Sequence, residues 1–216
     1  MRIILLGPPG TGKGTQGEFI IKKYKIPHIS TGNLLRENIK KNNKISAKIK
    51  NNIIQGKLVD NDIICYLLLQ RIQKQDCHNG FLLDGFPRNI TQAELLSNQG
   101  IKIDYVLELL IPNALILERL SGRRIHKSSG RIYHIKFNPP KKQEIDDITG
   151  EKLDIRDDDK IEVVQKRLEE YMKMTYPLTK YYKEEHIKKK LKYFKINGAN
   201  KLLKIKSNID NILKKK

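Results

Sequence analysis

Apolar positions along this chain fall into two rhythms. Short apolar-rich runs at Arg2–Leu6 and at residues 26–29, 80–83, 105–111 and 192–196 are bounded by turn residues. Such runs read as strands of a parallel sheet buried on both faces. Between them the spacing lengthens to the helical period. Residues 14–24 form one such stretch, and Ile63, Ile64, Leu67, Leu68 and Ile72 mark another over residues 61–75. Ser30 or Thr31 is placed to cap the helix after the second strand, Thr91 with Glu94 reads as a capping box, and Asn113 caps a helix to Leu120. Ile161, Val164, Leu168, Tyr171 or Met172, Leu178 and Tyr182 predict a long amphipathic helix bent near Pro177, and a terminal helix runs from about Lys201. Strands alternating with helices predict an α/β fold with a parallel sheet.

One segment breaks the rhythm. Residues 122–159 have no helical period, hold Gly130, Pro139, Pro140, Gly150 and eight acids, and include a β-like piece from Arg131. A structureless loop of that length is uncommon inside a domain, so a small lobe is expected there. A length of 216 residues suits one domain with inserted lobes.

Composition narrows the function classes. Mean hydropathy is −0.55, and no run approaches the roughly 20 apolar residues a membrane helix needs, so no membrane association is expected. The start is too short and too quickly glycine-rich for a leader. Cys65 and Cys77 supply neither a disulfide framework nor a zinc set, which points to a reducing cytoplasm. The formal charge is +19, which invites an anionic partner. Yet 33 of the 43 cationic side chains are lysine, and residues 180–216 alone carry +10 from 13 lysines and three acids. That bias reads mainly as a solvated lysine surface. Where lysine is the default cation, each arginine marks a place that needs a planar fork.

The chemistry begins at Gly7-Pro-Pro-Gly10-Thr11-Gly12-Lys13-Gly14-Thr15, after a strand and opening a helix. Glycines there let backbone N–H groups turn around phosphate oxygens, and the helix N-terminus adds partial positive charge. Lys13 can reach β and γ phosphates, and Thr15 offers a hydroxyl near a metal. Lys13 is followed by Gly14 and not directly by Ser or Thr, so the loop is a variant of the general phosphate-loop pattern.

That variant resembles the adenylate kinase family, and the likeness runs through nearly the whole chain: residues 28–36, Asp84-Gly85-Phe86-Pro87-Arg88 closing a strand, residues 122–124, and the carboxyl–arginine series from Arg156 to Arg167. It is closest in pattern to the bacterial long-lid type. The resemblance implies a P-loop core with a five-stranded parallel sheet flanked by helices (residues 1–29, 60–121 and 160–216), a small helical AMP-binding lobe (30–59) and a small β lid (122–159). It implies phosphoryl transfer from ATP to AMP giving two ADP, without a covalent intermediate. Gly10, Thr11, Gly12, Lys13, Gly14, Thr15, Arg119, Arg123, Ile132, Tyr133 and Asn200 are then expected on ATP. Thr31, Arg36, Lys57, Leu58, Val59, Gly85, Phe86, Pro87, Arg88, Gln92, Arg156 and Arg167 are expected on AMP, with Gly56 beside them. The catalytic set is Lys13, Asp84, Arg88, Arg123, Arg156 and Arg167. Mg²⁺ arrives with ATP, its water shell near Thr15 and Asp84, with no direct protein ligand.

Some relatives staple the lid with four zinc-binding cysteines. Here those spots are His126, Ser129, Asp146 and Thr149, so a hydrogen-bonded polar cluster without zinc is expected. Asp158 and Asp159 are expected to pair with lid arginines. Asn33 stands where relatives often carry aspartate near the metal's waters, an amide that keeps the acceptor and loses the charge. Asn200 falls near a donor-base contact commonly made by backbone. A kinase for UMP or CMP stays open, although the long lid and Gln92 favour AMP. A nucleotide-dependent nucleic-acid-binding protein is a third reading, against which stand the absence of an aromatic-interleaved basic patch and 6% aromatics. The partners expected are ATP, AMP and ADP, with no specific nucleic acid, and the chain is expected to act as a monomer.

Overall fold

Each of the five apolar runs becomes a strand of one sheet. The computed structural model describes residues 1–40, 44–55 and 57–214. In chain order the sheet strands are β1 (Arg2–Leu6), β2 (His28–Ser30), β3 (Phe81–Asp84), β4 (Tyr105–Leu110) and β7 (Lys192–Asn197). All neighbours are parallel, in the order β2-β3-β1-β4-β7. Helices α1 (Lys13–Tyr24), α2 (Thr31–Lys40), α3 (Lys44–Ile54), α4 (Asn61–Ile72), α5 (Ile90–Asn98), α6 (Asn113–Ser121), α7 (Ile161–Glu170), α8 (Leu178–Ile187) and α9 (Leu202–Lys214) fill the connections.

Strand alternation divides the core in two. Ile4, Leu6, Phe81, Leu83 and Val106 face one side, with α2 to α5 and α8. Ile3, Leu5, Leu82, Leu107 and Leu109 face the other, with α1 and α9. Successive side chains point to opposite faces of a strand, so a sheet covered on both sides needs nearly continuous apolar runs. Burying one such Leu or Ile contributes about 1.5–3 kcal/mol. The lysine-rich end is part of this core: α9 buries Ile205, Ile209 and Leu213. Asp210 ties it to α1, taking Lys23 at 2.6 Å and the Tyr24 hydroxyl at 2.9 Å.

Between α6 and α7 the chain builds a second, two-stranded sheet as a small β lobe. Its strands β5 (Arg123–Ile125) and β6 (Ile132–His134) pair antiparallel, and single bridges join Ile125 to Asp154 and Ile145 to Lys152.

Several local expectations are corrected. Helix α5 is capped by Asn89, whose side chain accepts from Gln92 N, so Thr91 and Glu94 lie inside the helix and form no capping box. Asn113 is the first residue of α6 and follows Pro112 at the cap position. Thr31 is the first residue of α2, and its hydroxyl donates to the Gly85 carbonyl at 2.9 Å instead of capping the helix. The helix expected from Ile161 to Tyr182 is broken by a π turn over Tyr171–Thr175, and Pro177 opens α8. At α5 and α6 a residue one or two positions upstream took the cap, and only the Thr31 hydroxyl went to a tertiary partner.

Candidate active site

The sheet presents its carboxyl ends on one side, where ligands of open α/β sheets bind. Gly7 leaves β1 there with φ +139°, and a Cβ at that position would stand 2.4 Å from the Leu109 carbonyl oxygen, so only glycine turns the chain so tightly against β4. The loop leads into α1, whose N-cap Gly12 is left-handed and offers no side chain, and whose first turn has no acid. The helix therefore keeps its orphan N–H groups and its positive end free for an anion. Lys13 Nζ folds over the loop and donates to the Gly7 and Pro8 carbonyls, each at 2.8 Å.

Around this cradle five arginines converge from distant segments. Arg36 comes from α2, Arg88 from the loop after β3, Arg123 from the head of the β lobe, and Arg156 and Arg167 from its exit and α7. Three carboxylates accompany them. Arg123 pairs with buried Asp159, its Nε donating at 2.6 Å, and Arg167 reaches Asp158 at 2.9 Å and Asp159 at 3.5 Å. Arg88 Nε donates to the Gly85 carbonyl at 2.9 Å, while Arg36 Nη2 donates to Asn33 Oδ1 at 2.7 Å. Among the described residues Arg156 Nε is buried without a hydrogen-bond partner.

Six cations against three acids leave the cluster with an excess of positive charge. Burial, opposed by Asp84 and aided by Arg88, Arg167 and Arg123, pushes Lys13 down to about 8. Burial and Arg167 press Arg88 down to about 10, and burial with Arg123 and Arg36 does the same to Arg156. A guanidinium stays protonated at neutral pH, so this depression measures an appetite for anions. At the end of β3, burial works against the Asp84 carboxylate, but His28, Lys13 and Arg88 outweigh it and hold the group below its usual range. An ionised carboxylate beside Lys13, with the exposed Thr15 hydroxyl at the helix mouth, fits a hydrated divalent cation brought by a polyphosphate.

The other expected residues make contacts of their own. Arg119 donates to the Gly198 carbonyl at 2.9 Å and to Thr11 O at 3.4 Å, joining the glycine loop to the turn that holds Asn200. Thr31, Gly85, Phe86 and Pro87 line the end of β3, with Phe86 buried in the core. Gln92 is buried and engaged at both ends of its amide: Oε1 accepts from Arg88 N at 2.7 Å and Nε2 donates to Asn61 Oδ1 at 2.8 Å. Val59 is buried and the Leu58 carbonyl accepts from Asn52 at 3.2 Å, while Lys57 is exposed. Gly56 lies outside the described residues. Ile132 is half-buried, and Tyr133 sends its hydroxyl to Asp146 at 3.0 Å within the β lobe.

In that lobe the four expected polar residues meet. His126 Nδ1 lies 2.7 Å from Ser129 Oγ, and Thr149 Oγ1 stands 3.3 Å from His126 Nε2 and 2.9 Å from Asp146 Oδ2. Arg131 adds a fork onto Asp146 at 2.8 and 2.6 Å, and Glu151 closes on His126 Nε2. Among the described residues no cluster of three or more His, Cys, Asp or Glu side chains is arranged to hold a metal ion.

Sequence reasoning missed three contributors. His28 Nε2 lies 3.4 Å from Asp84 Oδ2, and the absent side chain of Gly17 gives its ring room, since a Cβ there would meet the ring at 3.2 Å. Thr175, in the π turn, anchors the Arg88 carbonyl at 2.8 Å. Asn61 joins Asn89 to Gln92. A histidine next to a strand's end is a weak sequence signal, and the other two depend on contacts far apart in the chain.

The family model described as adenylate kinase matches residues 5–187. The chain belongs to the adenylate kinase family. It is 58% identical over 214 residues to an adenylate kinase of Buchnera aphidicola subsp. Schizaphis graminum, covering 99% of this chain and 100% of the relative. An adenylate kinase of Buchnera aphidicola subsp. Acyrthosiphon pisum is 57% identical over 100% of both chains. One of Photorhabdus laumondii subsp. laumondii is 51% identical over 99% of this chain and 100% of its own. The five-stranded parallel sheet and flanking helices are the architecture expected of an adenylate kinase. No described helix is long and apolar enough to cross a membrane.

Proposed function

We propose that the chain carries out reversible phosphoryl transfer from ATP to AMP, with the two nucleotides tail to tail across the arginine-lined hollow. The observation that carries the reading is the excess of positive charge there: Lys13, Arg36, Arg88, Arg123, Arg156 and Arg167 gather around three acids at an uncapped helix N-terminus. The glycine loop from Gly10 to Thr15 and Lys13 hold the donor phosphates. Arg36 and Arg88 hold the acceptor phosphate, and Arg123, Arg156 and Arg167 grip the group in transit. As the bond from the donor's bridging oxygen to the γ phosphorus breaks, a bond from an acceptor phosphate oxygen forms in line, and the fixed guanidinium groups stabilise charge spread over the equatorial oxygens. Magnesium bound to the triphosphate supplies further charge neutralisation, and Thr15 and Asp84 are the residues placed to hold its water shell.

Residues 122–159 act as a lid and residues 30–59 as the acceptor lobe, excluding water so that the metaphosphate-like group meets AMP. Two free buried cysteines support a reducing, cytoplasmic setting, and the lysine excess gives only salt-sensitive encounters with nucleic acid. The test is ADP formation from ATP and Mg²⁺ with AMP, CMP, UMP or GMP as acceptor. AMP is expected to be preferred strongly. No transfer to any acceptor overturns the reading, and preference for UMP or CMP replaces the acceptor.

A further inference from the structure

The arginines of the hollow are held in two chemically different ways. Arg123 and Arg167 lean on carboxylates, those of Asp158 and Asp159. Arg88 and Arg36 lean on neutral oxygens, the Gly85 carbonyl and the Asn33 amide. Arg36 makes no ion pair within 4.0 Å among the described residues, and its hydrogen bond goes to Asn33 Oδ1 at 2.7 Å, three residues back on the same helix. Gly32 completes the seat, since a Cβ there would stand 3.1 Å from Arg36 Nη2. The first turn of α2 carries no acid, although a helix N-terminus favours one by about 0.3–1 kcal/mol. An aspartate at 33 would satisfy both the helix and the guanidinium. It would also cancel charge that a phosphate dianion needs.

We propose that Asn33 is the positioning residue for Arg36, orienting the guanidinium through a neutral hydrogen bond so that its full charge meets the acceptor phosphate. The amide thus bears on the acceptor nucleotide through Arg36. The inference rests on the acceptor assignment proposed above. It predicts that Asn33→Asp weakens AMP binding about three- to tenfold at low salt, with the difference shrinking as salt screens the new pair. The melting temperature is expected to hold or rise, because the acid suits the helix end. Asn33→Ala is expected to weaken AMP by a similar factor at any salt, through lost orientation alone. In both variants KM for AMP should rise while kcat and the affinity for ATP hold, a split that a merely structural role would not give.

Calorimetric titration of the full chain with AMP at two ionic strengths reads these effects. In an Arg36→Ala background Asn33→Asp should change nothing further. Unchanged or tighter AMP binding by Asn33→Asp overturns the inference, as does an equal loss for ATP or an undiminished loss in the Arg36→Ala background. Inorganic phosphate as a second probe separates the two proposals. If the parent fails to phosphorylate AMP while Asn33→Asp still weakens phosphate binding, the acceptor assignment falls and the positioning role stands.

Discussion

The cation cluster at the carboxyl ends of the sheet's strands and the β lobe beside it are both rich in charge, and they use it oppositely. In the lobe one buried carboxylate finds a full set of counterparts. Asp146, 1% exposed, receives both arms of Arg131, the Tyr133 and Thr149 hydroxyls, and the backbone N–H groups of Ile148 and Thr149. In the hollow, cations outnumber acids, Lys13 is folded onto backbone carbonyls, and Arg156 Nε has no partner among the described residues. A satisfied network holds a shape. An unsatisfied one, built at the cost of like-charge repulsion, is arranged for something that arrives from solution.

Substitutions should therefore separate the two regions by readout. Lys13→Ala in the hollow is expected to lower transfer about 10³-fold, ~4 kcal/mol of transition-state stabilisation, while the melting temperature stays level. A steady-state assay beside a thermal melt checks both halves, and a collapsed fold would deny the distinction. Arg88→Lys keeps the charge and loses the planar fork, so kcat/KM for AMP should drop about 10²-fold with little change in stability; an unchanged rate would remove Arg88 from the site.

The lobe should answer to acid instead. Its donors, Arg131 first, hold Asp146 far below the usual carboxylate range. A depressed folded pKa contributes stability above the unfolded value of about 4 and loses it as pH falls below that. Amide exchange of residues 144–153 should accelerate on acidification below about pH 4. Asp146→Asn should exchange fast at neutral pH already and respond less to acid. Equal acid sensitivity in both proteins would show that another group governs the lobe. The smallest expected effect is none at all: a chelator should leave the melting temperature unchanged, and elemental analysis should find no stoichiometric zinc. A drop with chelator would mean that the polar cluster holds a metal after all.

Much of this was legible in residue order. The glycine loop between strand and helix, the five apolar runs and the Asp84–Arg88 segment declared a phosphate-binding α/β enzyme before any coordinates. The polar replacement of lid thiols by His126, Ser129, Asp146 and Thr149 was readable too, because its residues lie close in sequence. The caps at Thr91 and Asn113 misled, since Asn89 and Pro112 reached those helix ends first. Gln92, expected on AMP, also holds the Arg88 backbone and Asn61 with its amide, contacts that residue order did not announce.

Residue order alone determined which backbone segments alternate, where the chain must turn on glycine, and which chemical groups were available. Folding decided what met what. Lys13 and Arg167 stand far apart in the chain and share a hollow only because parallel crossovers return each strand's carboxyl end to the same side. Whether a guanidinium is neutralised by Asp159 or merely steadied by Asn33 depends on separations of a few ångströms, where Coulomb and hydrogen-bond energies change steeply and no pattern in the sequence records the distance.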